Sequence, residues 1–368
     1  MNTLINRRLR AARERAGLTQ EQLAQKLGFK DRQTLTAIET GERKLAAEEL
    51  LHLIKILGVD LDYFVDEFRL DGEGKFSWRA PKVEHNVLTQ FEEQAGKWVA
   101  TYRKLGELEN ITPSPLELVL SLTTKNSFED AQVAAERLRL KWNLGDVPAL
   151  KLEDAICEHL STLVIYVDAP AGISGAALRI PNLSAVIINQ KEPEGRRNYD
   201  LAHELFHLLT WERMPPKHND VEPAQNLKAQ AKRIELLAEN FAAALLMPEQ
   251  VLHGKWEQRG NQEIHSWINA VADYFRITAS ALKWRLVNLG WLSKSEKIDD
   301  EKLAANGKKI QREQQLPKLF CKQFVDRFRL GLSKGHISVR RAAQLLGLSI
   351  DQLADLFRSY DFAVPFDM

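Results

Sequence analysis

The chain has 368 residues, 44% of them apolar and 27% charged, with a formal net charge of +1. Such a length suits two or three domains, and no apolar run reaches the roughly 18 residues of a membrane span. The basic start MNTLINRRLRAARERAG lacks the apolar stretch of a signal peptide, so the expected location is the cytosol, without membrane contact. Cys157 and Cys321 lie far apart and outside any C-x-x-C pair, which argues against a disulfide framework and against a cysteine-rich zinc site.

Residues 1 to about 67 read as short amphipathic helices. Arg7, Arg8, Arg10, Arg13 and Arg15 crowd the first and are expected to form a solvated face. Thr19 and Gln22 open the next helix as a capping box, and Gly17, Gly28, Gly41 and Gly58 fall where helices should stop. In GLTQEQLAQKLGFKDRQTLTAIETGER two helices meet at a tight turn. Leu23, Ala24, Leu27, Leu35 and Ile38 are expected to form their core, capped by Leu51, Ile54 and Leu57. That leaves Gln20, Arg32, Gln33, Thr34, Thr36 and Ala37 facing outward. Glutamine pairs bidentately with adenine and arginine with guanine, so this surface suits a major groove. A helical protein-interaction module is the alternative. The segment from about Ile5 to Phe64 resembles the XRE-type, lambda-repressor-like helix-turn-helix family, although Phe29-Lys30-Asp31 looks one residue longer than the usual turn. The resemblance implies a double-stranded DNA operator as partner and, since such units read paired half-sites, a homodimer.

The pattern breaks at Asp71 to Lys75, read as a linker, and then is mainly helical to about residue 145. LVIYV and AVIIN, within Leu163 to Asn189, are β-branched and bounded by Pro, Gly and Asn, as strands of a small sheet are. The strands Ile173 to Ile180 and Ala185 to Asn189 are expected to offer an edge for an extended peptide, or else to form an ordinary core sheet. Helices resume near Arg197 and run to Gly290. A charged stretch from Ser293 to about Gln315 reads as a second linker, and short helices follow. Phe275 to Leu289 and Ile337 to Gly347 imitate DNA-binding helices but read better as packing or recognition modules. Met214, Met247 and the scattered tryptophans read as core.

Chemistry concentrates in His203-Glu204-Leu205-Phe206-His207, an H-E-x-x-H pattern on a helix. Spacing of four puts both imidazoles on one face, where they can share one Zn²⁺ per chain. Glu204 is placed as general base, taking the proton of a water that the metal acidifies so that it attacks a peptide carbonyl. A third ligand is needed. A metzincin would have Gly at 210 and His at 213, where this chain has Thr210 and Arg213. Glu235, on the helix that ends at Met247-Pro248, is the preferred ligand, with His218 in the preceding loop as its rival. Glu239, one turn on, is placed to hold an imidazole N–H. Tyr166, Tyr199 and Tyr274 are unranked candidates for stabilising an oxyanion.

The segment ending AVIIN, the helix LAHELFHLL, and E-x-x-A-x-x-F-A-A-x-L-L-M-P at Glu235 to Pro248 resemble the ImmA/IrrE family of metallopeptidases over about Ala131 to Leu292. The resemblance implies a gluzincin-like site with His203, His207 and Glu235 on zinc and Glu204 as base. It also implies a protein substrate, typically a helix-turn-helix repressor of stress, DNA-damage or mobile-element genes. Two positions depart from the family: Phe206 stands where Gly is usual, and is expected to narrow the space beside the metal, and Glu239 where Asn or Asp is usual. The fold class expected is α+β, mostly helical. It comprises a helix-turn-helix domain at 1–67, a helical connector at 68–130, a zinc metallopeptidase domain with a small sheet at 131–292, and a linker with a helical C-terminal domain at 293–368. The competing readings are a metal- or ligand-sensing transcription factor without proteolysis and an antitoxin-like partner protein.

Overall fold

Five helices, α1 (Asn2–Arg15), α2 (Gln20–Lys26), α3 (Arg32–Thr40), α4 (Ala47–Leu57) and α5 (Leu61–Val65), close around one small core in the computed structural model. The structure describes residues 2–70, 74–79, 83–111, 118–180, 182–215, 225–293, 298–303 and 316–367. Leu23, Ala24, Leu35 and Ile38 are buried as their spacing requires, and Leu27 lies partly buried against them. The Thr19–Gln22 capping box is formed. From α4, Ile54 and Leu57 pack against this core as expected, but one position differs. Leu51 is 57% exposed, and Leu53, two positions on and therefore on the other side of the helix, is fully buried.

Not all of the basic first helix is a solvated face. Arg8 is completely buried and donates from Nη1 to the Tyr63 carbonyl at 2.9 Å and from Nη2 to the carbonyls of Asp66 and Arg69 at 2.8 and 2.9 Å. Arg13 is 8% exposed and pairs with Glu39 at 2.6 Å. Arg8 thus ties the start of the chain to the segment leaving α5. A cation that makes three such donations to carbonyl oxygens can be buried at tolerable cost.

A strand absent from the sequence reading follows: β1 (Lys75–Arg79), where helix was expected. KFSWR alternates in the period of two, but it is too short to stand out against the helical pattern beyond it. It joins β2 (Leu163–Val167), β3 (Gly175–Ile180) and β4 (Leu183–Asn189) in a four-stranded mixed sheet of order β1-β3-β4-β2. β3 is antiparallel to both β1 and β4, and β2 is parallel to β4. The expected peptide-binding edge on β3 and β4 is therefore not there. Each of those strands already has a neighbour on both sides, and the ladder positions a peptide would use on β3 are filled by β1. At the other edge Phe320 donates its N–H to the Tyr166 carbonyl.

Both faces of the sheet are covered, which explains the unbroken apolar runs of β2 and β4. On one face, Val164, Ala177, Val186 and Ile188 pack with α7 (Phe128–Lys141), α9 (Glu194–Thr210) and α10 (Gln225–Leu246). α8 (Leu152–Leu160) precedes β2, and α11 (Glu249–Glu257), α12 (Ile264–Phe275) and α13 (Ala279–Asn288) complete this layer. On the other face, Leu163, Ile165, Ala176, Leu178 and Ile187 pack with α6 (His85–Leu108) and three C-terminal helices, Lys322–Ser333, Val339–Leu346 and Ile350–Ser359. The two DNA-binding look-alikes serve packing: Phe275, Leu282 and Leu286 are fully buried in the first layer, and Ala342, Leu345 and Leu346 are buried in the second. Residues 71–73 of the first expected linker, and most of the second, lie outside the described residues.

Arg8→Ala leaves three carbonyl oxygens without their donor, so the N-terminal unit should lose roughly 3 kcal/mol of stability. Urea unfolding of the whole chain, followed at the N-terminal unit, checks this; an unchanged midpoint refutes the tie.

Candidate metal centre

Helix α9 runs beneath the sheet with every residue from Asp200 to Thr210 buried. The spacing of four brings the two imidazoles together, with His203 and His207 only 1% and 2% exposed and their ring centroids 4.9 Å apart. Helix α10 packs across α9 and delivers Glu235. Its Oε2 lies 3.1 Å from His203 Nε2 and its Oε1 3.5 Å from His207 Nε2, while the two Nε2 atoms are 3.1 Å apart. These ligand atoms all lie within 4.8 Å of one another.

The donor set fits a tetrahedral divalent ion. Ligands about 2.0–2.1 Å from zinc stand roughly 3.3 Å apart at tetrahedral angles, close to the three separations observed. Burial drives the His203 imidazole down to about 3 and lowers His207 too, so both are neutral near neutral pH and offer lone pairs. Burial pushes Glu235 upward, but the His203 hydrogen bond and the nearby His207 outweigh it and hold the carboxyl down to about 2. Two neutral nitrogens and an anion converge on one point, an arrangement a cation would satisfy.

Glu204 is 1% exposed and accepts the Ala177 N–H of β3. Its Oε2 has no hydrogen-bond partner among the described residues. Burial holds its carboxyl well above the usual range, with the positive charge of Arg79 opposing that shift. A carboxyl so placed can hold a proton or release it as local charge changes, as a general base must.

The sequence-derived helpers fare unevenly. Glu239 does not hold an imidazole: both Nδ1 atoms are buried without a partner among the described residues. Its backbone carbonyl instead accepts the Tyr199 hydroxyl at 3.0 Å, and its carboxyl, raised by burial, faces an adjoining cavity. One helical turn carries its side chain past the imidazole edges. The rival ligand His218 lies outside the described residues. Phe206 is fully buried against Phe241, edge-on to the His207 ring, so its bulk is taken up in the core. Among the three candidate tyrosines, Tyr166 donates to Glu153 and Tyr274 lies under Lys255 at the surface, while Tyr199 lies beside Arg79 with its ring 5.9 Å from the guanidinium carbon.

Two residues that the sequence did not single out belong here. Asp200, completely buried one turn before Glu204, meets Arg79 at 3.0 Å and Arg196 at 3.2 Å. Its carboxyl is raised by burial and lowered again by those two arginines. Its position relative to Glu204 was visible in the sequence. Arg79 was not findable, since it arrives on the unforeseen β1. Beside them lies a cavity of about 1200 Å³ whose lining includes Arg79, Tyr199, Glu239, Asn240, Arg276 and Arg285.

In the N-terminal unit, Asp31 caps α3, so the helix begins at Arg32; Arg32 and Gln33 are exposed at its first turn. Thr34 donates to Asp31, and Thr34 and Thr36 are partly exposed. Gln20 is less free than expected, because Glu39 accepts from its amide at 2.8 Å and Thr36 donates to it at 3.3 Å.

A helix-turn-helix unit and a metallopeptidase-like domain built around an H-E-x-x-H helix thus share one chain. Residues 9–64 match the family model described as helix-turn-helix, and residues 157–287 match a peptidase family model described as the IrrE N-terminal-like domain. The chain therefore combines a helix-turn-helix domain with a metallopeptidase-like domain of the ImmA/IrrE type. A comparison with curated proteins gives no match. No described helix is long and apolar enough to cross a membrane.

Purified protein should carry about one zinc per chain, as a single three-ligand site requires, and His203→Ala, His207→Ala and Glu235→Ala should each lose most of it. Elemental analysis decides; a Glu235→Ala protein that keeps its full zinc removes Glu235 from the ligand set.

Proposed function

We propose that this protein is a DNA-binding regulator whose metallopeptidase domain, a zinc-dependent endopeptidase of gluzincin type, cleaves a protein substrate, a helix-turn-helix repressor that controls stress or mobile-element genes. The observation that carries the reading is the convergence of His203, His207 and Glu235 within 4.8 Å beside a fully buried Glu204 on the same helix. A divalent ion in that set supplies Lewis acidity and lowers the pKa of water near it. The chain's own residues do the rest. His203, His207 and Glu235 fix the ion, and the buried helix keeps bulk water from the imidazoles. The Ala177 N–H orients the Glu204 carboxyl, which takes a proton from the attacking water and returns it to the departing amine. The cavity lined by Arg79, Tyr199 and Glu239 adjoins the centre and offers room for substrate side chains.

DNA recognition is assigned to residues 1–67, read by Arg32 and Gln33 with support from Gln20, Thr34 and Thr36, in a homodimer on paired half-sites. Replacing Arg32 or Gln33 should weaken operator binding by roughly 1–3 kcal/mol each and relax specificity; a variant lacking residues 1–67 that still holds the operator tightly overturns the assignment.

Glu204→Gln is nearly isosteric and leaves all three ligands in place. It should keep zinc and operator binding yet lose about 10²–10⁴-fold in peptide cleavage, the usual worth of a general base. In cells it should leave the response uninducible, read from a reporter beside an immunoblot of the repressor. Normal induction with an uncleaved repressor refutes the peptidase reading.

A further inference from the structure

Arg79 reaches the centre from β1, outside the family-matched residues 157–287. In the ladder it stands opposite Gly175 of β3. A Cβ at 175 would lie 4.0 Å from Glu204 Cγ and would press within 2.8 Å of the Ile187 carbonyl oxygen. The residue across from Arg79 is thus one that tolerates no side chain, and nothing at 175 stands between the arginine and the catalytic carboxyl.

The guanidinium is held from two directions. Nη1 lies 3.0 Å from Asp200 Oδ1, and its central carbon sits 5.9 Å from the centre of the Tyr199 ring. Asp200 is fully buried on the same helix as Glu204, while the Arg79 side chain keeps 20% exposure and lines the cavity. A buried anion is thus paired with a cation that stands at the wall of the adjoining cavity. The positive charge of Arg79 also bears on His203, Glu204, His207 and Glu235. The tyrosines are poorer donors: Tyr199 already gives its hydroxyl proton to the Glu239 carbonyl and Tyr166 to Glu153.

We propose that Arg79 is a catalytic residue that stabilises the oxyanion formed when water adds to the scissile peptide, and that Asp200 is the positioning residue that holds it; this rests on the peptidase reading. In that step the water oxygen bonds to the carbonyl carbon, the carbonyl π pair moves onto its oxygen, and Glu204 takes the proton. On collapse that pair re-forms C=O, the C–N bond breaks, and Glu204 returns the proton to nitrogen, leaving a carboxylic acid and an amine. A fixed cation beside the developing charge acts without reorganising, and loss of one such donor typically costs about 10²–10³ in kcat.

The test uses the zinc-loaded full chain and the peptide it cleaves best from a random dodecapeptide mixture. Arg79→Gln should lower kcat about 100- to 1000-fold with KM changed less than about threefold. A phosphonamidate peptide analogue, which carries negative charge at the oxyanion position, should lose affinity in parallel. Arg79→Lys should restore part of both, and Asp200→Asn should lower kcat less than Arg79→Gln does. Zinc content should match wild type in both arginine variants, and both should fold; Arg79→Lys should melt near wild type and Arg79→Gln somewhat lower, because Asp200 loses one of its two cations. Unchanged kcat and phosphonamidate affinity in Arg79→Gln overturn the proposal. Loss of zinc or of folding in both arginine variants also overturns it and makes Arg79 a strut. A zinc-loaded wild type that neither cleaves any peptide nor binds the phosphonamidate sinks the peptidase reading itself, and this inference with it.

Discussion

The architecture around the metal centre follows from the burial of one helix that is rich in ionisable groups. Between Asp200 and Thr210, α9 takes two imidazoles and two carboxyls into the interior. Isolated charges cannot be kept there without partners. Each group therefore answers to a neighbour. The imidazoles are held neutral, Glu204 leans on the Ala177 N–H, Asp200 is matched by two arginines, and Glu235 meets the imidazoles from α10. These partners come from β1, β3, α9 itself and α10, so the elements around the sheet are fixed by what α9 needs. Of the buried side-chain atoms that lack a hydrogen-bond partner among the described residues, four lie on this one helix: Asp200 Oδ1, Glu204 Oε2 and the Nδ1 atoms of His203 and His207.

The N-terminal unit is joined to this body by more than a tether. Arg8 grips the carbonyls just beyond α5, Asp66 pairs with Arg341 of the second C-terminal helix, and Glu67 meets Lys104 of α6 at 2.9 Å. Leu70 is already part of the core behind the sheet. Few residues separate that anchor from β1, so the path from α3 to Arg79 runs through packed chain for most of its length.

Local pattern revealed what local pattern controls. H-E-x-x-H spacing, the Thr19 cap and the α2–α3 core positions are properties of single helices, and sequence periodicity carries them. Glu235 was legible because its own helix has a recognisable pattern, even though its contact with the imidazoles spans more than twenty-five residues. The reading faltered where a residue's role depends on a partner remote in sequence. Leu51 and Leu53 cannot be ranked without knowing which side of α4 meets α5. Glu239 looked like a support for an imidazole because one turn from a ligand is a sensible place for one. Arg8 looked solvated because its acceptors lie more than fifty positions away. β1 was missed because five residues of alternation carry little signal, and Arg79 and the filled edge of β3 were lost with it.

The filled edge sets what can be cut out of this protein. The family-matched residues 157–287 contain β2, β3 and β4 but not the strand that pairs with the outside of β3. A fragment trimmed to that span would bare a row of backbone donors and acceptors on β3 and strip the apolar back of the sheet of α6 and the C-terminal helices. Such a surface templates strand addition from other molecules. The family-matched segment is thus not portable: its sheet edge and its apolar back are closed only by the chain that flanks it.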